Sequence, residues 1–158
     1  MRHTLSALRL FTALSALAVA CAAHAQSFKL RQPLETDADV VLQEIVLDAQ
    51  QTRVTLLLKN STDESFEACA QPTGSTEAFT LKDLDSGTVL PQRTISGLTL
   101  CGGKMDTVKP GRTKLLKITF PPLPAGAKRL QLGEASCQPR PDSDLDYWCF
   151  KNITLPAR

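Results

Sequence analysis

Between residues 107 and 132 the apolar positions fall on every second residue. Leu116, Ile118 and Phe120 share one parity, with Thr113, Lys117 and Thr119 on the other. That is the period of a half-buried strand. Leu115 interrupts it, as an outer face that is partly covered would allow. Lys109-Pro110-Gly111-Arg112 reads as the turn before the strand. Pro110 presets φ, and Gly111 takes the positive φ that a type II turn needs next. Pro121, Pro122 and Pro124 end the pairing, because proline cannot donate to a ladder. Leu123 between them is placed to dip into the core, and Leu130 and Leu132 resume the two-residue period. Four prolines and two glycines in this stretch argue against a helix.

The same period recurs along the chain. Val54, Leu56 and Leu58 line one face of 53–59, with 40–47 as partner strand and Asp48-Ala49-Gln50-Gln51 as the turn. Phe66, Ala68 and Ala70 alternate with Glu67 and Cys69. Phe79 and Leu81 alternate with Thr80 and Lys82, and Asp85-Ser86-Gly87 turns the chain into 88–90. Residues 94–101 read as one short strand with a bulge at Gly97. A last strand covers 149–155. The expected fold is therefore all-β: an immunoglobulin-like antiparallel β-sandwich of about eight strands. In residues 26–39, Phe28 and Leu30 alternate with Lys29 and Arg31 before Pro33 interrupts. They are expected as an N-terminal lead-in or an edge segment, and 40–158 as a single domain.

The runs VTLLLKNST, FTLKDLDSGTVLP and VKPGRTKLLKITF, in that order, carry a resemblance. Over residues 40–132 the chain resembles small immunoglobulin-like modules of bacterial exported proteins. It is similar in style to the domain named for an intracellular proteinase inhibitor. The resemblance implies the fold and assigns no functional residue. The four later cysteines and the closing 137–149 hairpin lie outside the pattern.

Residues 1–25 have the layout of a secretory signal peptide. Arg2, His3 and Arg9 precede an apolar run over 10–21, too short for a membrane span with those flanks. Ala23-His24-Ala25 fits the small-x-small cleavage rule, so the mature chain is expected to begin at Gln26 and to be periplasmic or secreted. A retained anchor is one competing reading. The other is a lipoprotein anchored at Cys21, since Ala18-Val19-Ala20-Cys21 outlines a lipobox without its usual leucine. Cysteine parity favours cleavage. Cys69, Cys101, Cys137 and Cys149 then remain, an even set suited to an oxidising compartment. Three pairings are open. The expected one closes a short loop with Cys137–Cys149 and ties two strands across the middle with Cys69–Cys101.

The leader also takes the net charge of +2 with it. Of 18 basic residues, Arg2 and Arg9 are lost, leaving 16 against 16 acidic ones. The remaining chain is neutral and holds one tyrosine and one tryptophan for stacking, so no nucleic-acid partner is expected. Both histidines, His3 and His24, are lost too. A chain without histidine excludes Ser-His and Cys-His nucleophiles and histidine metal sites. No two cysteines form a CxxC pair, so neither a zinc site nor any other metal or cofactor is expected, and no catalysis. Charge is nonetheless uneven. Residues 26–103 hold 6 basic and 11 acidic residues, whereas 104–129 hold 7 basic residues and only Asp106. The two readings are the polar faces of strands, with Lys114 and Lys117 at different parities, and a basic partner-facing surface.

Within the expected 137–149 loop, Asp142, Asp144 and Asp146 form D-x-D-x-D. A calcium loop would need glycine where Tyr147 stands and glutamate where Ile153 stands, so a solvated acidic loop is the stronger reading. Trp148 and Tyr147 have a structural reading, aromatics packed over a disulfide, and a functional one, an exposed anchor. Two prolines and a bridge would preorganise the loop for binding. Asn60-Ser61-Thr62 and Asn152-Ile153-Thr154 fit the glycosylation sequon, which matters only in a eukaryotic secretory pathway.

These observations predict an exported, non-catalytic protein-binding or accessory module with no membrane span in the mature form. Its expected partner is another exported or envelope protein, met through Asp142, Asp144, Asp146, Tyr147 and Trp148. The alternative is a hydrolase inhibitor that inserts the 137–149 loop. An exposed, rigid loop would favour the inhibitor, and a long uncovered edge strand the accessory module.

Overall fold

The cleanest alternation in the sequence becomes the centre of the larger sheet. The computed structural model describes residues 25–138 and 147–156. In chain order its strands are β1 (Gln26–Pro33), β2 (Val40–Leu47), β3 (Thr52–Lys59), β4 (Phe66–Ala68), β5 (Phe79–Asp83), β6 (Val89–Pro91), β7 (Thr94–Ser96), β8 (Asp106–Val108), β9 (Thr113–Phe120), β10 (Arg129–Glu134) and β11 (Cys149–Thr154). One sheet has the order β1-β2-β3-β9-β7, a second β11-β10-β5-β6, and β4 pairs with β8. Every ladder is antiparallel, and the chain is all-β with two disulfides.

β3 and β9 pair in unbroken register from Thr52↔Phe120 to Lys59↔Thr113. Val54, Leu56, Leu116, Ile118 and Phe120 are fully buried on the inner face of that pair. Phe79, Leu81, Leu130, Leu132, Phe150 and Ile153 of the four-stranded sheet belong to the same apolar cluster. Two sheets thus share one core, as the expected sandwich requires. Each fully buried side chain of this size contributes about 1.5–3 kcal/mol from the area it removes from water.

Asn60, Gln92 and Thr52, polar residues buried inside this frame, are all hydrogen-bonded. Asn60 is fully buried, and its amide nitrogen donates to the carbonyls of Glu64 at 2.7 Å and Val108 at 2.8 Å. Its Oδ1 accepts from the Thr62 N–H at 3.0 Å. Asn60 therefore ties together the loop after β3, the end of β8 and the 109–112 turn, and the first sequon is closed to modification. Gln92 does similar work between β5 and the 71–73 segment, accepting from the Phe79 N–H and donating to the Gln71 carbonyl. Thr52 Oγ1 accepts from the Leu123 N–H at 3.1 Å, which anchors the proline crossing and lets Leu123 rest on the core.

Two expectations change. Of the two readings of residues 26–33, the edge segment stands and the lead-in does not: they form the eight-residue edge strand β1, paired with β2 from Gln26↔Leu47 to Pro33↔Val41. Residues 94–101 are not one strand. β7 stops at Ser96, Gly97 takes φ +107°, and Leu100 forms an isolated parallel bridge with Ala70. A Cβ on Gly97 would stand 1.9 Å from the Leu115 carbonyl oxygen, so this glycine marks a backbone close approach rather than a bulge. The described strands number eleven, because β4, β6, β7 and β8 have three residues each and are too short for a period to show.

Candidate functional site

Three surfaces carry chemistry. The first is the stapled end of β10 and β11. Both expected disulfides are present, Cys69–Cys101 and Cys137–Cys149. Gly133 of β10 pairs with Cys149 of β11, and the chain then folds back through a tight turn at Ala135–Cys137. The turn brings Cys137 over Gly133, so closely that a Cβ there would meet its Sγ at 2.3 Å. Ala135, Ser136 and Cys137 all have positive φ, at 46°, 57° and 58°. Glu134 and Trp148 clasp each other across this hairpin. The Glu134 N–H donates to the Trp148 carbonyl at 3.0 Å, and the Trp148 N–H donates to Glu134 Oε2 at 3.1 Å. Burial pushes the Glu134 carboxyl up to about 7. The Trp148 N–H opposes that shift and the Glu77 carboxylate adds to it.

Trp148 is half-buried and packs against the core, with its ring centroid 6.4 Å from that of Phe79 and the planes tilted by 48°. The ring of Trp148, the residue before Cys149 in the chain, thus packs on Phe79 of β5. Tyr147 is also half-buried. Asp142, Asp144 and Asp146 lie outside the described residues, so the structure brings only Tyr147 and Trp148 of the expected contact set to the staple. Among the described residues no group of three or more Cys, Asp or Glu side chains is arranged to hold a metal ion.

The second surface is the edge of the larger sheet. β1 is its outermost strand on one side, and the three-residue β7 on the other. β1 is regular over 26–29 and then shifts register before Gln32, where Arg31 takes φ 52°. Bulges and prolines of this kind blunt an edge, so only the first half of β1 offers a regular one. Lys29 pairs with Glu44 at 2.7 Å, and Ser27 also donates to Glu44, whose carboxyl these contacts hold below its ordinary range. Gln32 Nε2 reaches the Asn152 carbonyl of β11 at 3.4 Å, so the edges of the two sheets lie side by side there. At the β1 end, Phe28, Leu47, Ala127, Lys128, Leu155 and Pro156 line a mostly apolar cleft of about 280 Å³.

The third is the outer face of the larger sheet. Register places Val46, Arg53, Thr119 and Thr94 in one row across four strands, and Glu44, Thr55, Lys117 and Ser96 in the next. These residues border a shallow depression of about 460 Å³. Thr94 and Thr119 share a hydrogen bond at 2.7 Å between their hydroxyls. The basic stretch is divided by the fold. Lys117 stands exposed on this face, whereas Lys114 is bound to Asp106 at 3.0 Å. Thr99 also donates to Asp106, and these contacts hold the Asp106 carboxyl down at about 2.

The sequence named the staple, offered β1 only as an alternative to a lead-in, and did not single out the outer face as a site. The signal for the face was present in the parity of Arg53, Thr55, Lys117 and Thr119, which alternate with core residues on paired strands. No protein-family model, curated protein or solved structure matches the chain. Among the described residues no helix is long and apolar enough to cross a membrane.

Proposed function

We infer that this chain is an exported, non-catalytic module that binds another exported or envelope protein, and that it does so along β1. One observation carries this reading: an eight-residue strand stands at the edge of the larger sheet with a regular stretch over 26–29. An edge of that kind accepts a partner strand through main-chain hydrogen bonds, and flanking side chains select which strand. Lys29 is paired with Glu44, whereas the exposed Arg31 flanks the stretch and favours an acidic partner segment. The two disulfides are compatible with an oxidising compartment and with a domain that keeps its shape outside the cell interior.

The test is site-specific photocrosslinking in the source compartment, with the crosslinking residue at Arg31, at Tyr147 or at Lys117 in separate variants. The expected result is one protein adduct from Arg31 and none from the other two. An adduct from Tyr147 alone would move the contact to the 137–149 loop and support the inhibitor reading. An adduct from Lys117 alone would move it to the outer face. No adduct from any position, with all variants folded, would overturn the binding reading.

A further inference from the structure

We propose that Cys137–Cys149 is a thiol-exchange site whose co-substrate is a small or protein dithiol, while Cys69–Cys101 is a permanent structural bridge. Three left-handed residues precede the bond in an unbroken run, and none is glycine. Residues with a Cβ are disfavoured in this region, and such conformations persist only where their surroundings hold them. Four non-glycine residues have positive φ among the described ones, and three of them are Ala135, Ser136 and Cys137. Among the described residues the side chains of the turn make one hydrogen bond, from Thr80 Oγ1 to Ser136 Oγ at 3.3 Å. Its main-chain bonds are Gln138 N–H to the Ala135 carbonyl at 3.0 Å and a long Ala135 N–H to the Glu77 carbonyl at 3.4 Å. The Cys137–Cys149 bond adds a covalent tie that holds Cys137 over Gly133. Opening it lets three residues relax, so the oxidised form is raised in free energy relative to the reduced one.

The surroundings of Cys69–Cys101 differ. Ala70 N–H donates to the Thr99 carbonyl and Cys101 N–H to the Ala70 carbonyl, both at 2.9 Å. The positive φ that follows the bridge falls on Gly102, where it is unstrained. No comparable release follows from opening that bond.

Reduction at the staple is also local. β10 and β11 remain joined by Arg129↔Thr154, Leu130↔Ile153 and Leu132↔Phe150, whose apolar members are buried in the core. The Glu134–Trp148 clasp does not depend on the sulfurs. Cys137 and Cys149 are half-buried, as Cys69 and Cys101 are, and Ser136 beside Cys137 is exposed. In the reaction a thiolate of the dithiol attacks one sulfur, the Cys137–Cys149 bond breaks, and the other cysteine leaves as a thiolate that takes a proton from water. The second thiol of the dithiol, once deprotonated, then attacks the dithiol's own sulfur in the mixed disulfide, and the attached cysteine leaves as a thiolate that takes a proton from water. Two electrons pass to the protein, and the dithiol ends as a cyclic disulfide.

The experiment is equilibration of residues 26–158 in mixtures of reduced and oxidised dithiothreitol, followed by acid quench, alkylation and peptide mapping. Far-ultraviolet circular dichroism follows the fold in the same samples. The expected result is two separate steps. Cys137–Cys149 opens at a ratio of reduced to oxidised dithiol at least about fivefold lower than Cys69–Cys101, as relief of even one strained residue requires, and the strand signal is kept. Ser136→Gly and Ala135→Gly, which remove the strain without touching sulfur, should each shift the first step towards more reductant and leave the second in place. Simultaneous opening of both bonds, opening of Cys69–Cys101 first, loss of the strand signal at the first step, or glycine variants that do not shift it would each overturn the proposal.

Discussion

Glu134 shows how one side chain makes this fold sensitive to pH. Its carboxyl lies mostly out of water beneath the stapled turn, and its pKa stands at about 7 against an ordinary value of 4.5. A raised carboxyl pKa means that the folded state holds the proton more tightly than the unfolded one. Between about pH 4.5 and 7 the folded state therefore binds more protons, and stability falls as pH rises through that window. The full difference amounts to at most about 3 kcal/mol. Asp39, Glu44, Asp48, Asp85 and Asp106, all held below their ordinary values by hydrogen bonds and cations, act in the opposite sense. Their contribution is lost only as pH falls through the acid range, and it does not enter the 4.5–7 window. No histidine does either, once His3 and His24 are absent. Urea midpoints of residues 26–158 should thus be higher at pH 5 than at pH 7.5. In Glu134→Gln, which keeps an acceptor for the Trp148 N–H, the two midpoints should converge. A wild-type midpoint that does not change between the two pH values would refute this account of Glu134.

Gly97 makes a parallel case for β7. The strand ends there because the backbone turns at φ +107° and passes against the Leu115 carbonyl. Gly97→Ala adds a Cβ that the carbonyl cannot escape without breaking the β7–β9 pairing, and it also places alanine in a left-handed conformation. The expected loss is more than about 3 kcal/mol, read as a lower urea midpoint with an unchanged slope. An alanine variant as stable as the wild type would show that β7 is not locked to β9. The sequence marked Gly97 as special but gave the wrong reason, since a close approach from Leu115 depends on a strand paired from eighteen residues away along the chain. β3 and β9 were legible because the inner face of the pair keeps a strict period of two, with Leu57 and Leu115 the apolar exceptions on the outer face. β2 and β11 were blurred by irregularities that switch parity, from Leu42 to Ile45 and from Phe150 to Ile153. β1 was hidden by Pro33 and by the register shift at Leu30 and Arg31, which leave only Phe28 clearly facing inwards. At the staple, cysteine spacing gave the bond, while nothing local foretold three left-handed residues without a glycine among them.

The arrangement of the whole chain ties export to the proposed contact. β1 begins at Gln26, the residue that follows the expected cleavage point, and its first ladder pair is Gln26↔Leu47. Residues 1–25, the expected leader, therefore precede one end of the strand proposed to meet a partner. If Cys21 carried lipid, only residues 22–25 would separate the bilayer from β1, a reach of at most about 14 Å when fully extended. Strand addition along 26–29 would then have to occur against the membrane surface. If cleavage follows Ala25, the domain is released and the edge is open on all sides. The proposed function predicts the second case. The chain expressed with its leader should appear in the osmotic-shock fraction, with an intact mass matching residues 26–158 and both disulfides closed. Cys21→Ser should change neither the fraction nor the mass. Retention in the membrane fraction, with release by Cys21→Ser, would identify an anchored lipoprotein and would restrict β1 to partners that lie within reach of the bilayer.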